Sequence, residues 1–186
     1  MTKWQKFWGH LRTIQKHRKM VRKLCFKCGL YWQGLTHDIS KYSPTEFWNG
    51  VKFYTGTKSP HVGEREAYGY SKAWLHHKGR NKHHADYWID ILSNGETGPV
   101  VMPVKYFAEM MCDRIAASMI YLGEKYTDYS PLEYYYGHKD ENKFEDSIRS
   151  ELEYWLEHLA TYGLDYAIND LRKTIKIEDR KEKRKL

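Results

Sequence analysis

The chain has 186 residues, 41% of them hydrophobic, which suits one globular domain with a real core. It has no run of 18 apolar residues to cross a bilayer and no apolar leader after its first residues. Its three cysteines are too few and odd in number for a disulfide framework, so a cytoplasmic, membrane-free protein is expected. The net charge of +7 is uneven: residues 1–28 carry nine Lys/Arg and no Asp/Glu, residues 172–186 carry +5, and residues 29–171 are left with −7.

Residues 3–28 read as one amphipathic helix, with Trp4, Phe7, Leu11, Ile14, Val21, Leu24 and Cys28 at three- and four-residue steps and Gly29 as a stop. His10 and His17 fall on its interior stripe. A short apolar segment over 30–38 ends in His37-Asp38. Ser43-Pro44-Thr45-Glu46 then presents a cap, a proline at the first helical position and Glu at the capping-box position, opening a helix to Phe53 or Tyr54. Residues 55–63 read as a loop and Glu64–His77 as a helix. A second helix is expected over His83–Leu92, after the interruption at Gly79-Arg80-Asn81, and a Gly/Pro/Asn-rich loop over 93–103. A strong helix follows over Val104–Leu122. Ser130-Pro131-Leu132-Glu133 repeats the cap pattern, and two helices fill roughly 141–162 and 164–176. No strand pair, repeat or second domain is evident, and the fold class expected is all-α.

Ten histidines is a high count, and their placement matters more. Imidazole nitrogen and carboxylate oxygen are the common ligands of divalent ions. His37-Asp38 supplies one of each. Adjacent side chains diverge by about 100° on a helix, so the pair works best at a helix end, where one carboxylate can bridge two ions. Asp113 stands in the apolar stretch Phe107–Tyr121, where a buried carboxylate needs a partner: a metal ion, Arg114 or a histidine. Glu109, one turn earlier, suits the role of acceptor for a ligand histidine. His76-His77 and His83-His84 are two pairs seven residues apart, flanked by Arg80, Asn81 and Lys82. Four histidines in nine residues are hard to explain as packing, and at least two are expected to bind metal.

His17-Arg18-Lys19-Met20-Val21, followed by Gly34-Leu35-Thr36-His37-Asp38-Ile39-Ser40-Lys41, resembles the HD-domain superfamily of metal-dependent phosphohydrolases. Ser40 stands where that family usually has glycine. The resemblance covers about residues 10–122. It implies an HD-like helical domain, drawn here over 1–176 with a basic tail at 177–186. It implies His17, His37, Asp38 and Asp113 as ligands, with Lys41 near the substrate phosphate. The further histidines resemble the branch with a second ion, with one of His76/His77 and one of His83/His84 coordinating. The expected cofactor is two divalent ions among Fe, Mn, Zn, Mg, Ni or Co. The expected substrate is a phosphorylated small molecule or nucleotide, hydrolysed with Asp38 and Lys41 as catalytic residues and with Lys41, Arg80, Asn81 and Lys82 as substrate contacts. Some HD-type proteins use the same ligand set with mixed-valence iron to activate oxygen. The whole chain also resembles a small bacterial and phage family, with hallmark stretches matching His37–Trp48 and Ala73–Trp88; that likeness implies no activity.

Other signals admit blander readings. Cys25-Phe26-Lys27-Cys28 has no second pair for zinc and no preceding strand for redox chemistry, so core packing is expected. Sixteen tyrosines and seven tryptophans lie mostly at helical spacing, as core and interface aromatics do, and a homodimer is compatible with them. The basic ends suit a solvated surface or a nucleic-acid partner, the latter being the non-enzyme alternative with a structural metal site.

Overall fold

The computed structural model describes residues 1–139 and 143–185. The fold is all-α, with nine α-helices and one small hairpin among the described residues. The helices are α1 (Lys3–Cys28), α2 (Tyr31–Thr36), α3 (Pro44–Phe53), α4 (Pro60–Tyr68), α5 (Lys72–Lys78), α6 (Val104–Leu122), α7 (Ser130–Gly137), α8 (Asp146–Tyr162) and α9 (Leu164–Lys185). No described helix is long and apolar enough to cross a membrane.

The long first helix forms where its periodicity predicts, and both ends are chemically closed. Thr2 Oγ1 accepts from the Gln5 amide at 3.2 Å, and the Gln5 side chain accepts from the Thr2 amide at 2.8 Å. Gly29 takes the left-handed conformation at φ 83°, which lets the Leu30 amide bond the Cys25 carbonyl at 2.8 Å. The buried stripe is His10, Ile14, His17, Val21, Leu24, Cys25 and Cys28. It packs on α6, whose Phe107, Ala108, Met111, Cys112, Ile115 and Ala116 are fully or nearly fully buried. Leu152, Leu156 and Leu159 of α8 and Ile168, Leu171 and Ile175 of α9 complete this core. All three cysteines are free and buried within it. α9 runs on through the basic segment expected to form a tail.

Four expectations are corrected between residues 55 and 103. The segment 55–63, expected to be loop, turns helical at Pro60, where α4 begins. The helix expected over Glu64–His77 is two helices that meet at Gly69, left-handed at φ 77°. Glu64 is buried there and accepts from Asn49 Nδ2, Ser71 Oγ and the amides of Lys72 and Ala73, so it closes the start of α5. The helix expected over His83–Leu92 is a short 3-10 turn, Ala85–Tyr87, leading into β1 (Ile89–Ile91). That strand pairs antiparallel with β2 (Thr97–Pro99), inside the segment expected to be loop, with Ile89 opposite Pro99. Its turn holds Gly95 at φ 82°. The cap pattern at Ser130 also differs: α7 begins at Ser130 itself, whose Oγ bonds Thr127.

α3 comes close to α1 because residue 50 is glycine. A Cβ there would overlap the imidazole of His10. That ring is buried, with Phe47 at 5.5 Å and Tyr54 at 6.0 Å, and its Nδ1 has no hydrogen-bond partner among the described residues. Burial, helped by the charge of Lys41, lowers its pKa to about 4. Between pH 6.5 and 4 the unfolded chain therefore binds a proton that the folded chain refuses. Stability falls through that window by roughly 3 kcal/mol and then levels. Chemical denaturation of wild type and His10→Leu across pH 7 to 4 measures this. The variant is expected within about 1 kcal/mol of wild type at pH 7 and lacks that part of the acid loss.

Candidate metal centre

Four chain segments aim polar side chains at one point in the interior. α1 supplies His17. The end of α2 supplies His37, and the next residue supplies Asp38. α5 and the turn after it supply His77, His83 and His84. α6 supplies Asp113, with Glu109 one turn before it.

The His37-Asp38 pair stands at a helix end, as the divergence of neighbouring side chains required. His37 closes α2, and Asp38 adopts a left-handed conformation, φ 54° and ψ 26°, alone among the described non-glycine residues. Such a conformation is uncommon outside glycine, Asn and Asp and costs of order 1 kcal/mol. Arg18 holds the bend from α1: its Nε donates to the His37 carbonyl at 2.7 Å and an Nη to the Leu35 carbonyl at 3.1 Å. A 3-10 turn, Ile39–Tyr42, then returns Lys41 to Asp38, Nζ to Oδ2 at 2.6 Å.

Three groups of donors result: His37, His83 and Glu109 form one, and Asp38 belongs to both of the others. One is His17, His37, Asp38 and Asp113; the other is Asp38, His77, His83 and His84. Within each, the donor atoms lie within 4.8 Å of one another. In the first, His17 Nε2 is 2.8 Å from Asp113 Oδ1, 3.4 Å from His37 Nε2 and 3.7 Å from Asp38 Oδ2. In the second, His77 Nε2 is 2.8 Å from His84 Nε2 and 3.2 Å from Asp38 Oδ1, and His83 Nε2 is 3.5 Å from that oxygen. Donors about 2.1 Å from a common ion at right angles sit about 3 Å apart, so these spacings fit ligand shells.

The far sides of the rings set which nitrogen faces inward. Glu109 Oε1 lies 2.9 Å from His37 Nδ1 and 3.1 Å from His83 Nδ1. Glu46 Oε2 lies 2.7 Å from His77 Nδ1. When these rings are neutral, Nδ1 donation to a carboxylate leaves each Nε2 lone pair facing Asp38. Glu109 thus takes the acceptor role expected of it. Glu46 was legible only as a helix cap. The Ser43 half of that cap is present, but the Glu46 carboxylate is buried against His76 and His77 instead of closing the box.

The field inside is anionic. Burial alone would raise the pKa of Asp38, yet His37, Lys41 and His77 hold it well below the usual carboxylate range. Burial disfavours a charged His37, but Asp38, Asp113 and Glu109 outweigh that and push its pKa up to about 10. Burial, with the charges of His83 and His77 beside it, holds His84 well below its usual value. Asp38 Oδ2 is met by Lys41 Nζ at 2.6 Å, whereas His83 Nε2 is buried without a hydrogen-bond partner among the described residues. Buried polar atoms are rarely left so. A cation between these donors satisfies them, and the donor set fits a divalent ion.

The structure does not bring every expected residue to this point. His76 Nδ1 lies 2.6 Å from Glu46 Oε1 and belongs to none of the groups, because neighbours on α5 diverge. Arg80 is exposed with an Nη on the His76 carbonyl, and Lys82 is exposed over Tyr87 and Tyr106. Asn81 is buried, its Nδ2 2.7 Å from the His77 carbonyl and 2.8 Å from Ser40 Oγ, which fixes the turn between the histidine pairs. Lys41, by contrast, lines a cavity of ≈ 630 Å³ that opens onto His17, His77, His84 and Asp113. Its other walls include His10, Tyr54, His61, Trp74, Arg114, Tyr121, Tyr134 and His138. No sequence signal marked His61 or Trp74 as wall residues.

Residues 6–158 match the model of a protein family described as a family of unknown function, DUF5662. The chain belongs to this family. No curated protein and no solved structure matches it. The span of the DUF5662 match contains every residue of these donor groups.

The two donor groups that share Asp38 predict about two metal equivalents per chain after growth in metal-supplemented medium. Elemental analysis of variants checks the assignment. His84→Ala is expected to retain about one equivalent and His76→Ala about two. Glu109→Ala is expected to weaken binding roughly 10–100-fold. Chelation is expected to lower the melting temperature of the wild type.

Proposed function

We propose that this protein is a metal-dependent phosphohydrolase of the HD type, acting on a small phosphate ester through a dinuclear centre. One observation carries the reading. A single buried carboxylate, Asp38, is common to two complete His/Asp donor groups at the floor of a cavity sized for a small molecule.

His17, His37, Asp38 and Asp113 would hold one ion and Asp38, His77, His83 and His84 the other. Two such ions, when bound, supply a water of lowered pKa and a clamp for phosphoryl oxygens. Asp38, common to both groups, would help hold both. Glu109 and Glu46 keep His37, His83 and His77 in the tautomer whose Nε2 faces the centre. Lys41, at the cavity wall, places a positive charge where negative charge grows on the phosphoryl group. The ester is split by water into an alcohol and inorganic phosphate.

The same donor set also suits a di-iron oxygenase, and an absorption spectrum separates coloured iron from colourless zinc or magnesium. A reading of a third kind, nucleic-acid binding, is favoured by the exposed Lys16, Lys19, Arg22 and Lys23 face of α1. It predicts binding that survives chelation and falls steeply with salt.

A screen of phosphate esters with the metal-loaded protein tests the main reading. Asp38→Asn is expected to lower turnover by at least about 10³-fold, with unchanged circular dichroism, and Lys41→Met by roughly 10²-fold. Protein that holds no stoichiometric metal, or that binds metal yet hydrolyses no ester, refutes it.

A further inference from the structure

Three cations line the cavity: Lys41, Lys58 and Arg114. Two are committed. Lys41 Nζ lies 2.6 Å from Asp38 Oδ2, and Lys58 Nζ lies 2.7 Å from Glu66 Oε1. Arg114 is different. Its Nε is buried with no hydrogen-bond partner, and among the described residues the guanidinium has no ion pair. Its one contact of note is the ring of Phe144, 5.8 Å from Cζ. The neighbouring Asp113 is turned to His17 at 2.8 Å.

An arginine keeps its proton in a protein, so it cannot relieve burial by becoming neutral. A buried charge without a partner is costly, and a guanidinium presents five donors in a planar fork suited to carboxylate or phosphate. The wall beside it is ordered. Tyr134 of α7 and His138, the residue after that helix, stack at 4.2 Å, and His138 Nδ1 bonds the Tyr134 carbonyl at 2.9 Å. Arg114 also follows Asp113 on α6, so one helix turn fixes the guanidinium relative to the donor groups, on a face about 100° away.

We propose that Arg114 is a second anion site, so that the natural substrate is a small phosphate ester carrying a further anionic group, either a carboxylate or a second phosphate. The phosphoryl group to be cleaved sits over the donor groups and the second anion pairs with Arg114 beside Tyr134. The substrate class rests on the hydrolase reading above, whereas the anion site itself does not.

Calorimetric titration of wild type and Arg114→Gln tests this with glycerol 3-phosphate, 3-phosphoglycerate and 2,3-bisphosphoglycerate. The second probe adds a carboxylate, the third a carboxylate and a second phosphate. Wild type is expected to bind one or both of the second and third probes at least about tenfold tighter than glycerol 3-phosphate, the size of a charge-assisted hydrogen bond. The probe with the largest gain names the group. In Arg114→Gln the ratio is expected to fall to about one, with glycerol 3-phosphate binding unchanged. Arg114→Lys, which keeps charge without the fork, is expected to keep part of the ratio and serves if the Gln variant fails to fold. An equal ratio in wild type and variants, or no preference in wild type, overturns the proposal. Binding is read without turnover, so a protein that hydrolyses nothing yet shows the Arg114-dependent ratio refutes the hydrolase and leaves the anion site standing.

Discussion

The structure turns on a carboxylate buried where water cannot reach it. Asp38 is 1% exposed, in a left-handed conformation, with Lys41 Nζ 2.6 Å from its Oδ2. Desolvating a carboxylate is expensive, and the expense grows when Asp113, Glu46 and Glu109 are buried or partly buried nearby. Histidines and Lys41 offset this in the bare protein by carrying protons, as the raised pKa values of His37 and His77 record. The same rings, deprotonated, could hold a metal ion. Were one bound there, its binding and the stability of the fold would be linked.

The surrounding helices are arranged to hold that point. Arg18 reaches from α1 to the last carbonyls of α2 and fixes the bend at His37. Glu64 gathers the first amides of α5, and Asn81 closes the turn at its other end, so His77, His83 and His84 are positioned from both sides. Glu46 and Glu109 each meet two histidines. An acid at the first turn of α3 and another within the apolar face of α6 are poor choices for packing alone, and both are explained by the rings they orient.

Much of this was legible because helix periodicity is a strong signal over long segments. α1, α3 and α6 begin and end close to where stripe, cap and proline place them, and His17 and Asp113 follow from their faces. The resemblance added chain order, and the structure brings His17, His37, Asp38 and Asp113 together in space. Legibility failed where the chain is short and the turns are many. Between Gly79 and Pro103 apolar residues occur at no clear period, so β1 was read as helix and β2 as loop. The choice between His76 and His77 depends on which neighbour Glu46 and Asp38 share, a contact some 30 residues distant. Glu46 itself was hidden by its own motif, since a capping-box glutamate has a sufficient local explanation.

The first helix shows how one element carries two opposite electrostatic duties. Its inward stripe, His10 to Leu24, holds no formal charge, and the neutral His17 it delivers sits among carboxylates. Its outward face carries Arg12, Lys16, Lys19, Arg22 and Lys23, all exposed, and the helix has no acidic residue to cancel them. The 3.6-residue period keeps the two sets apart by roughly half a turn, so exposed cations raise the local concentration of anions without neutralising the ligands. The exposed charges lie outside the cavity lining, apart from Lys58, and their attraction is screened by salt within about 10 Å. They bring an anion to the protein without holding it. Retention falls to groups on the cavity wall, where Lys41 is paired with Asp38 and Arg114 has no ion pair among the described residues. On the proposed function, a molecule with one anionic group leaves either the donor groups at the cavity floor or the Arg114 wall unmatched, and a molecule with two satisfies both at once.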